Sequence, residues 1–320
     1  MATARSRLVC PEVTRYYHCV SRCVRRSFLC GEDALTGRSY EHRRDWIEQR
    51  ILTLASFYCV DVCAYAVMSN HYHLVVSLNQ DQAFGLSERD VVERWCVEHK
   101  TPVIIKSWLA GEQLTDAQKK WCDKTITEWR ERLCSLSWFM KELNYGIAVQ
   151  ANKEDDCTGR FWEGRFKSQA LLDEKALLSA MAYVDLNPVR AEMVSTPEDA
   201  QHTSLRARLD ALEQGRPQVI GLSDFVGNEA FDDSSGIPFR LLDYIEFVDW
   251  IGRHVRDTSS GYIVASTPPI LTRLSFSNSE CLFLCTQLEK DAKVWIGAAH
   301  KLDAAKQTLN KQRIVGHRIS

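Results

Sequence analysis

Two histidines separated by one residue, His71 and His73, are the first side chains in this sequence that could do chemistry. They lie in a run of β-prone residues, and residues two apart on a strand point to the same face. Two imidazoles on one face make half of a divalent metal site. Tyr72 and Leu74 would then point to the opposite, apolar face. Taken alone, the pair fits two surface histidines or two hydrogen-bonded core histidines equally well.

A tyrosine and an asparagine form the second group of interest. Tyr183 and Asn187 are four residues apart, so a helix would carry them on one face. Ala176 and Ala180 share that face, and we expect these small residues to leave room for a bulky substrate. The Tyr183 hydroxyl is then a candidate nucleophile, and the Asn187 amide oxygen a candidate metal ligand. The alternatives are a packed aromatic and a C-terminal helix cap.

The elements that must position these residues alternate between strands and helices. We predict a strand at 14–21, a helix at 40–57, strands at 60–68 and 71–78 joined by a tight turn, a helix at 133–152, a strand within 161–172, and a helix that begins after Asp173 and is stopped near Asn187 by Pro188. This order favours an α+β fold in which helices pack on one face of an antiparallel sheet.

Two further regions lack the candidate residues. Residues 79–130 are polar and rich in tryptophan, and we predict a helical insertion there. The region 196–320 is predicted to be a mostly helical extension. Its helices are expected at 203–213, 241–255 and 288–309.

Charge is distributed unevenly along a chain that is nearly neutral overall, with a net charge of −2. The first 50 residues hold ten arginines and no lysine, and such a cluster can bind phosphate. A solvated basic face explains the arginines equally well. Phe161 and Trp162 could stack on unpaired bases, although core packing is the stronger alternative. The candidate phosphate contacts are Arg22, Arg25, Arg26, Arg165, Lys167 and Arg190.

Twelve cysteines are scattered through the 320 residues, and none forms a CxxC pair. This pattern suits neither a zinc ribbon nor a disulfide framework. A zinc site that joins Cys63 to the histidine pair stays open, because Cys63 lies on the neighbouring predicted strand. No stretch has the length or apolarity of a membrane span, and we expect a reduced, cytoplasmic setting.

Three runs of sequence resemble one known family. MSNHYHLVV at 68–76, GRFWEGRFKSQALL at 159–172 and YVDLNPVRA at 183–191 are similar to motifs of the REP-associated tyrosine transposases. These belong to the insertion-sequence-200-like, single-tyrosine HUH transposases. The resemblance covers roughly residues 10–195, and it implies a ferredoxin-like fold with a transposase domain at 1–195.

The resemblance also implies roles for individual residues. His71 and His73 match the paired metal ligands, Tyr183 matches the nucleophile, and Asn187 matches a polar position that can complete the metal site. The implied activity is cleavage and rejoining of hairpin-bearing single-stranded DNA through a covalent 5′-phosphotyrosine, with Mg²⁺ or Mn²⁺ as cofactor. A nucleoid-associated monomer or homodimer is expected. The alternative is a domesticated protein that binds DNA hairpins without cutting them.

Overall fold

The structure is a computed structural model that describes residues 8–24, 29–32, 37–216, 218–227, 236–256, 267–290 and 293–319. Two of the candidate phosphate contacts, Arg25 and Arg26, lie outside these residues. Within the described ranges the chain forms a mixed sheet with many helices, which agrees with the α+β expectation. The expectation that helices pack on one face only is wrong, because the helix that begins after Asp173 covers the second face.

One six-stranded sheet organises the molecule, in the order β2-β3-β1-β4-β5-β6. The strands are β1 (Tyr16–Arg22), β2 (Val60–Val67), β3 (His71–Leu78), β4 (Lys167–Leu171), β5 (Trp295–Ala298) and β6 (Gly316–Ile319). The first four strands pair antiparallel, as predicted, whereas β4–β5 and β5–β6 pair parallel. The expectation of a purely antiparallel sheet is therefore wrong at its C-terminal edge.

Helices fill most of the remaining described chain. They are α1 (Arg43–Phe57), α2 (Gln80–Gly85), α3 (Glu88–Trp95), α4 (Val103–Leu109), α5 (Asp116–Leu133), α6 (Leu136–Glu154), α7 (Glu174–Asp185), α8 (Asn187–Arg190), α9 (Ser204–Glu213), α10 (Leu241–Arg256), α11 (Pro269–Arg273), α12 (Asn278–Gln287) and α13 (Ala299–Thr308). The predicted helical insertion is confirmed as α2 to α5.

The first face of the sheet packs against α1 and α6. Tyr72, Leu74 and Val76 alternate along β3 and enter one apolar core together with Ile51 of α1 and Leu143 of α6. This alternation confirms that β3 turns one set of side chains into the core and the other set, which includes the histidines, to the opposite face.

The second face packs against α7 and the C-terminal helices. Asp173 caps α7 by accepting a hydrogen bond from the Ala176 amide at 2.9 Å, as predicted. Every residue of α7 from Ala176 to Asp185 is buried, and Ala176 and Ala180 belong to the second apolar core. The expectation that these alanines leave an open approach is therefore wrong, because helices of the C-terminal region pack against α7.

Two predicted helix boundaries also need correction. The helix expected at 288–309 is interrupted, because the apolar run at Trp295 to Ala298 pairs as β5 and only Ala299–Thr308 is helical. Pro188 does not end the helical path either. It occupies the first turn of the short helix α8, where a missing amide hydrogen costs nothing.

The C-terminal region is thus part of the same sheet and cores as the N-terminal region. None of the helices in the described residues is both long enough and apolar enough to cross a membrane.

Candidate metal and nucleophile site

Adjacent strands bring a third histidine, His18, beside His73. On β1, His18 pairs opposite Val75 of β3, and Val20 pairs opposite His73. The two imidazole rings are parallel, with their centroids 5.3 Å apart. Sequence reasoning missed His18, although its position in TRYYHCVS already placed a histidine on a predicted strand.

A chain of hydrogen bonds fixes which nitrogens carry protons. The Gln169 side-chain amide donates to the carbonyls of Leu288 and Lys293, at 3.1 and 2.8 Å, so its oxygen is the acceptor toward His18. His18 Nδ1 lies 2.7 Å from that oxygen and must donate to it. His18 Nε2 is then an acceptor, and His73 Nδ1 donates to it at 3.0 Å.

The consequence is an unprotonated Nε2 on His73. This nitrogen is buried and has no hydrogen-bond partner among the described residues. A buried polar atom without a partner is costly, and in native proteins it frequently marks a ligand or ion that completes it. His18, in this arrangement, orients His73 in the way that outer hydrogen bonds commonly orient a metal-ligating imidazole.

His71 follows the same pattern at the end of β3. Its Nδ1 lies 2.5 Å from the side-chain oxygen of Asn70 and donates to it, so its Nε2 also carries a lone pair. The His71 and His73 ring centroids are 4.7 Å apart. Both members of the predicted pair therefore offer Nε2 in the form that binds metal.

Burial keeps these imidazoles neutral. The pKa of His71 is lowered to about 3, mainly by desolvation and also by the charges of Arg22 and Arg190. Desolvation also lowers the pKa of His73 well below its usual value, with His71 and His18 as further causes. The pKa of His18 is lowered by burial, while the Glu289 charge opposes the shift. A proton therefore does not compete for these nitrogens near neutral pH.

Tyr183 of α7 lies against the histidines. Its ring centroid is 5.8 Å from that of His73 and 5.9 Å from that of His18. The side chain is buried, with 8% of the residue exposed. The structure therefore brings together Tyr183 and the histidine pair, two groups that are 110 or more residues apart in the sequence.

Arg190 of α8 is engaged with Tyr183. Its guanidinium carbon lies 3.6 Å from the Tyr183 ring centroid, and its terminal nitrogens donate to the Tyr183 and Thr286 carbonyls, each at 3.0 Å. Burial raises the pKa of the Tyr183 hydroxyl, and the Arg190 charge offsets part of this shift. The tyrosine is therefore protonated at rest, with a cation beside it that favours the phenolate.

A carboxylate from the C-terminal region, Glu289, reaches the same place. Its charge contributes to the raised pKa of the Tyr183 hydroxyl, and its Oε1 lies 3.2 Å from His73 Nδ1. That approach lacks hydrogen-bond geometry, since Oε1 has no hydrogen-bond partner among the described residues. Glu289 was not predicted, because it lies far beyond the recognisable motifs.

The donor atoms present fit a divalent cation. One ligand atom each from His18, His73 and Glu289 lie within 4.8 Å of one another, and the paired Nε2 atoms of His71 and His73 form a second possible donor set. The proton positions favour the Nε2 pair of His71 and His73. In the other set, the nitrogens of His18 and His73 that face each other already share a proton. Two imidazoles with nearby oxygens suit Mn²⁺ and are compatible with Mg²⁺.

Asn187 lies four residues after Tyr183, at the start of α8. It is buried, and it lines a surface cavity of about 650 Å³ together with Tyr183, Arg190 and Gln287. The predicted role of Asn187 as a metal ligand stays a prediction, and Glu289 is the oxygen donor that approaches His73.

The remaining predicted phosphate contacts among the described residues lie at the protein surface. Arg22, Arg165 and Lys167 are exposed, and Arg22 pairs opposite His71 across the two strands. Their contact with phosphate stays a prediction.

The aromatic pair and the cysteine can be assigned from their surroundings. Phe161 and Trp162 are buried, and the Trp162 indole donates to the Asn144 carbonyl at 2.8 Å, so core packing rather than base stacking describes them.

Cys63 is fully buried, and among the described residues it joins no group of metal-binding side chains with a histidine. The zinc alternative through Cys63 therefore has no support.

The histidine face of the sheet is covered. His18 and His73 are each 1% exposed, and the segment that follows α12 places Glu289 beside them. A substrate can meet Tyr183 from the cavity that Asn187 lines, because Tyr183 forms part of its wall.

Comparisons with known proteins give little beyond this geometry. No protein-family model and no curated protein matches the sequence. A solved structure described as a REP-associated tyrosine transposase bound to a REP hairpin is similar, at 14% identity over 74% of this chain and 97% of that chain, with a TM-score of 0.38. A likeness of this size is too slight to establish a shared fold or activity.

Proposed function

We propose that this protein cleaves and rejoins hairpin-bearing single-stranded DNA through a covalent 5′-phosphotyrosine on Tyr183, carried by a ferredoxin-like core. The observation that carries the proposal is the Tyr183 ring 5.8 Å from His73, whose buried Nε2 has no proton and no partner among the described residues. The resemblance of the runs at 68–76 and 183–191 to HUH transposase motifs supports DNA as the substrate. The strand order β2-β3-β1-β4 supports the ferredoxin-like core.

The reaction begins with proton transfer from Tyr183. The Glu289 charge acts on this hydroxyl, so we assign the carboxylate as the acceptor of the proton, and Arg190 above the ring stabilises the phenolate. The phenolate oxygen forms a bond to the scissile phosphorus while the bond from phosphorus to the 3′ oxygen breaks. The 3′ oxygen gains a proton from solvent. A second 3′ hydroxyl reverses the step and reseals the strand, without an external energy source.

His71 and His73 would hold Mg²⁺ or Mn²⁺ through their Nε2 atoms. When bound, such a cation offsets the negative charge of the scissile phosphate. His18 and Gln169 act through His73 by fixing its proton on Nδ1. The proposed ligand pair does not include Asn187, whose amide lines the cavity instead.

A second candidate is the protein that binds DNA hairpins without cutting them. Its support is the covered site, in which burial raises the pKa of the proposed nucleophile and Glu289 occupies the space beside it. Both candidates share the DNA partner, and covalent chemistry separates them.

The test is formation of a covalent protein–DNA adduct. The protein is incubated with labelled, hairpin-bearing single-stranded DNA and Mn²⁺ or Mg²⁺, and the products are separated under denaturing conditions. We expect an adduct with the wild type, none with Tyr183→Phe, and a normal yield with Tyr145→Phe, which changes a tyrosine that is 67% exposed. DNA binding without any adduct over a panel of hairpins would favour the second candidate.

A further inference from the structure

The cavity beside Tyr183 has two amide side chains in its wall, Asn187 and Gln287, to which the proposed chemistry gives no role. Its volume is about 650 Å³, within the range of small-molecule sites and large enough for one nucleotide. We propose that this cavity binds a single deoxynucleotide, with its phosphate at Arg190 and its base against the amides of Asn187 and Gln287. The inference that this nucleotide belongs to the cleaved strand rests on the proposed function.

Asn187 is the first observation. Its residue is 8% exposed, and its side-chain amide makes no hydrogen bond to another described residue. Because the protein does not engage this amide, its donor and acceptor groups are available to a ligand that enters the cavity. Its position in the cavity wall turns that unused donor and acceptor toward the space a ligand would fill.

Arg190 gives a second, independent observation. Two of its nitrogens donate hydrogen bonds to backbone carbonyls. Its Nε is buried and has no hydrogen-bond partner among the described residues. A guanidinium with a free donor is well suited to a phosphate oxygen. Because the same side chain lies over the Tyr183 ring, a phosphate held by Arg190 would lie next to the proposed nucleophile.

The rest of the wall suits a nucleobase. Gln287 contributes a second amide, and amide side chains offer the paired donor and acceptor that base edges recognise. His254 donates its Nδ1 hydrogen to the Trp250 carbonyl at 2.7 Å, which leaves Nε2 as a further acceptor. Val255 and Leu282 provide apolar surface for the faces of a base.

Calorimetric titration of the full-length protein tests this inference directly. The probes are deoxyadenosine 5′-monophosphate, thymidine 5′-monophosphate and inorganic phosphate, each without divalent metal. We expect one nucleotide to bind with one-to-one stoichiometry, and inorganic phosphate to bind at least tenfold more weakly. Asn187→Leu and Gln287→Leu should each weaken nucleotide binding about tenfold, the effect of losing a buried hydrogen bond. Gln307→Leu, at an exposed glutamine of α13, is the matched control and should bind like the wild type.

The outcomes separate this inference from the proposed function. Tyr183→Phe should keep nucleotide binding, because the subsite does not need the hydroxyl, and it should lose the DNA adduct. If Asn187→Leu does not fold, as judged by circular dichroism, Gln287→Leu carries the test. Absence of nucleotide binding, equal binding of inorganic phosphate, or normal binding by the folded variants would overturn the subsite. If nucleotide binding fails these tests but the wild type still forms the DNA adduct, the subsite is wrong and the proposed function is retained.

Discussion

Two clusters of histidine and acid side chains can be compared within this chain. His18, His73 and Glu289 form one, and Asp45, Glu48 and His202 form the other, each with ligand atoms within 4.8 Å of one another. Composition and spacing therefore do not tell them apart. Burial does, because His73 is 1% exposed whereas the Asp45 side chain is 61% exposed.

Hydrogen bonding is the second difference between the two clusters. In the exposed cluster, His202 Nδ1 lies 2.9 Å from Glu48 Oε2, and the other Glu48 oxygen accepts from the Tyr65 hydroxyl. In the buried cluster, His73 Nε2 and Glu289 Oε1 have no hydrogen-bond partner among the described residues. Side chains that could bind a metal often lie close together on protein surfaces. Buried polar atoms without hydrogen-bond partners are therefore a stronger sign of a functional site than closeness alone.

The largest expected effect comes from removing one histidine of each cluster. His73→Ala removes a proposed metal ligand, so the rate of adduct formation should fall by about 100-fold or more. His202→Ala should change that rate by less than about twofold, since His202 lies in the satisfied cluster. Rates are measured at saturating Mn²⁺ on one hairpin substrate. Equal losses in both variants would remove the distinction between the clusters.

Acid stability sharpens the comparison, because the buried histidines must be neutral in the folded protein. The pKa of His71 is lowered from 6.5 to about 3 by burial. Below pH 6.5 the unfolded chain therefore binds a proton that the folded chain binds only near pH 3, and stability is lost as the pH falls through this window.

His71→Gln should remove one such proton. Between about pH 5.5 and 4, the free energy of unfolding of this variant should depend on pH less steeply, by about 1.4 kcal/mol per pH unit. The measurement is urea unfolding with EDTA present, and Gln307→Leu is the non-titrating control. If the free energy of unfolding of His71→Gln depends on pH as steeply as that of the wild type, His71 already accepts its proton in the folded protein within this pH range.

A moderate effect is expected when Glu289 loses its charge. Glu289→Gln keeps the size of the side chain but is a poor acceptor for the Tyr183 proton, so we expect adduct formation to slow by at least about tenfold. The same change in the exposed cluster, Glu48→Gln, should leave the rate within about twofold. Faster adduct formation by Glu289→Gln would show that this carboxylate blocks the nucleophile instead of accepting its proton.

The smallest effect belongs to the outermost residue of the exposed cluster. Asp45 Oδ1 lies 3.8 Å from His202 Nδ1, and exposed ion pairs contribute less than about 1 kcal/mol. Asp45→Asn should therefore lower the free energy of unfolding by less than about 1 kcal/mol in a urea titration. This cluster would be shown to bind an ion if Asp45→Asn lost several kcal/mol and if added divalent metal stabilised the wild type but not the variant.

Sequence patterns predicted the local part of this arrangement. Alternation along β3 placed His71 and His73 on the face opposite Tyr72, and the position of Asp173 marked the start of α7. Both features depend on residues close together in the chain, where spacing determines direction.

The long-range part could not be read from local patterns. His18 and Glu289 reach the site through strand pairing and through the path of the C-terminal chain, which no short-range period encodes. The burial of Ala176 and Ala180 has the same origin, since helices distant in sequence cover α7. The strand within 288–309 was missed for a related reason, because one parallel partner of β5, the strand β4, lies more than a hundred residues earlier.

Direct identification of the modified residue tests the central proposal. After reaction with a labelled hairpin substrate and Mn²⁺, the protein is digested with trypsin, and the peptides are sequenced by mass spectrometry. The proposal predicts a nucleotide phosphate on the peptide that runs from Ala176 to Arg190, attached to its only tyrosine, Tyr183. Attachment to any other residue, or an equal yield of adduct from Tyr183→Phe, would contradict it.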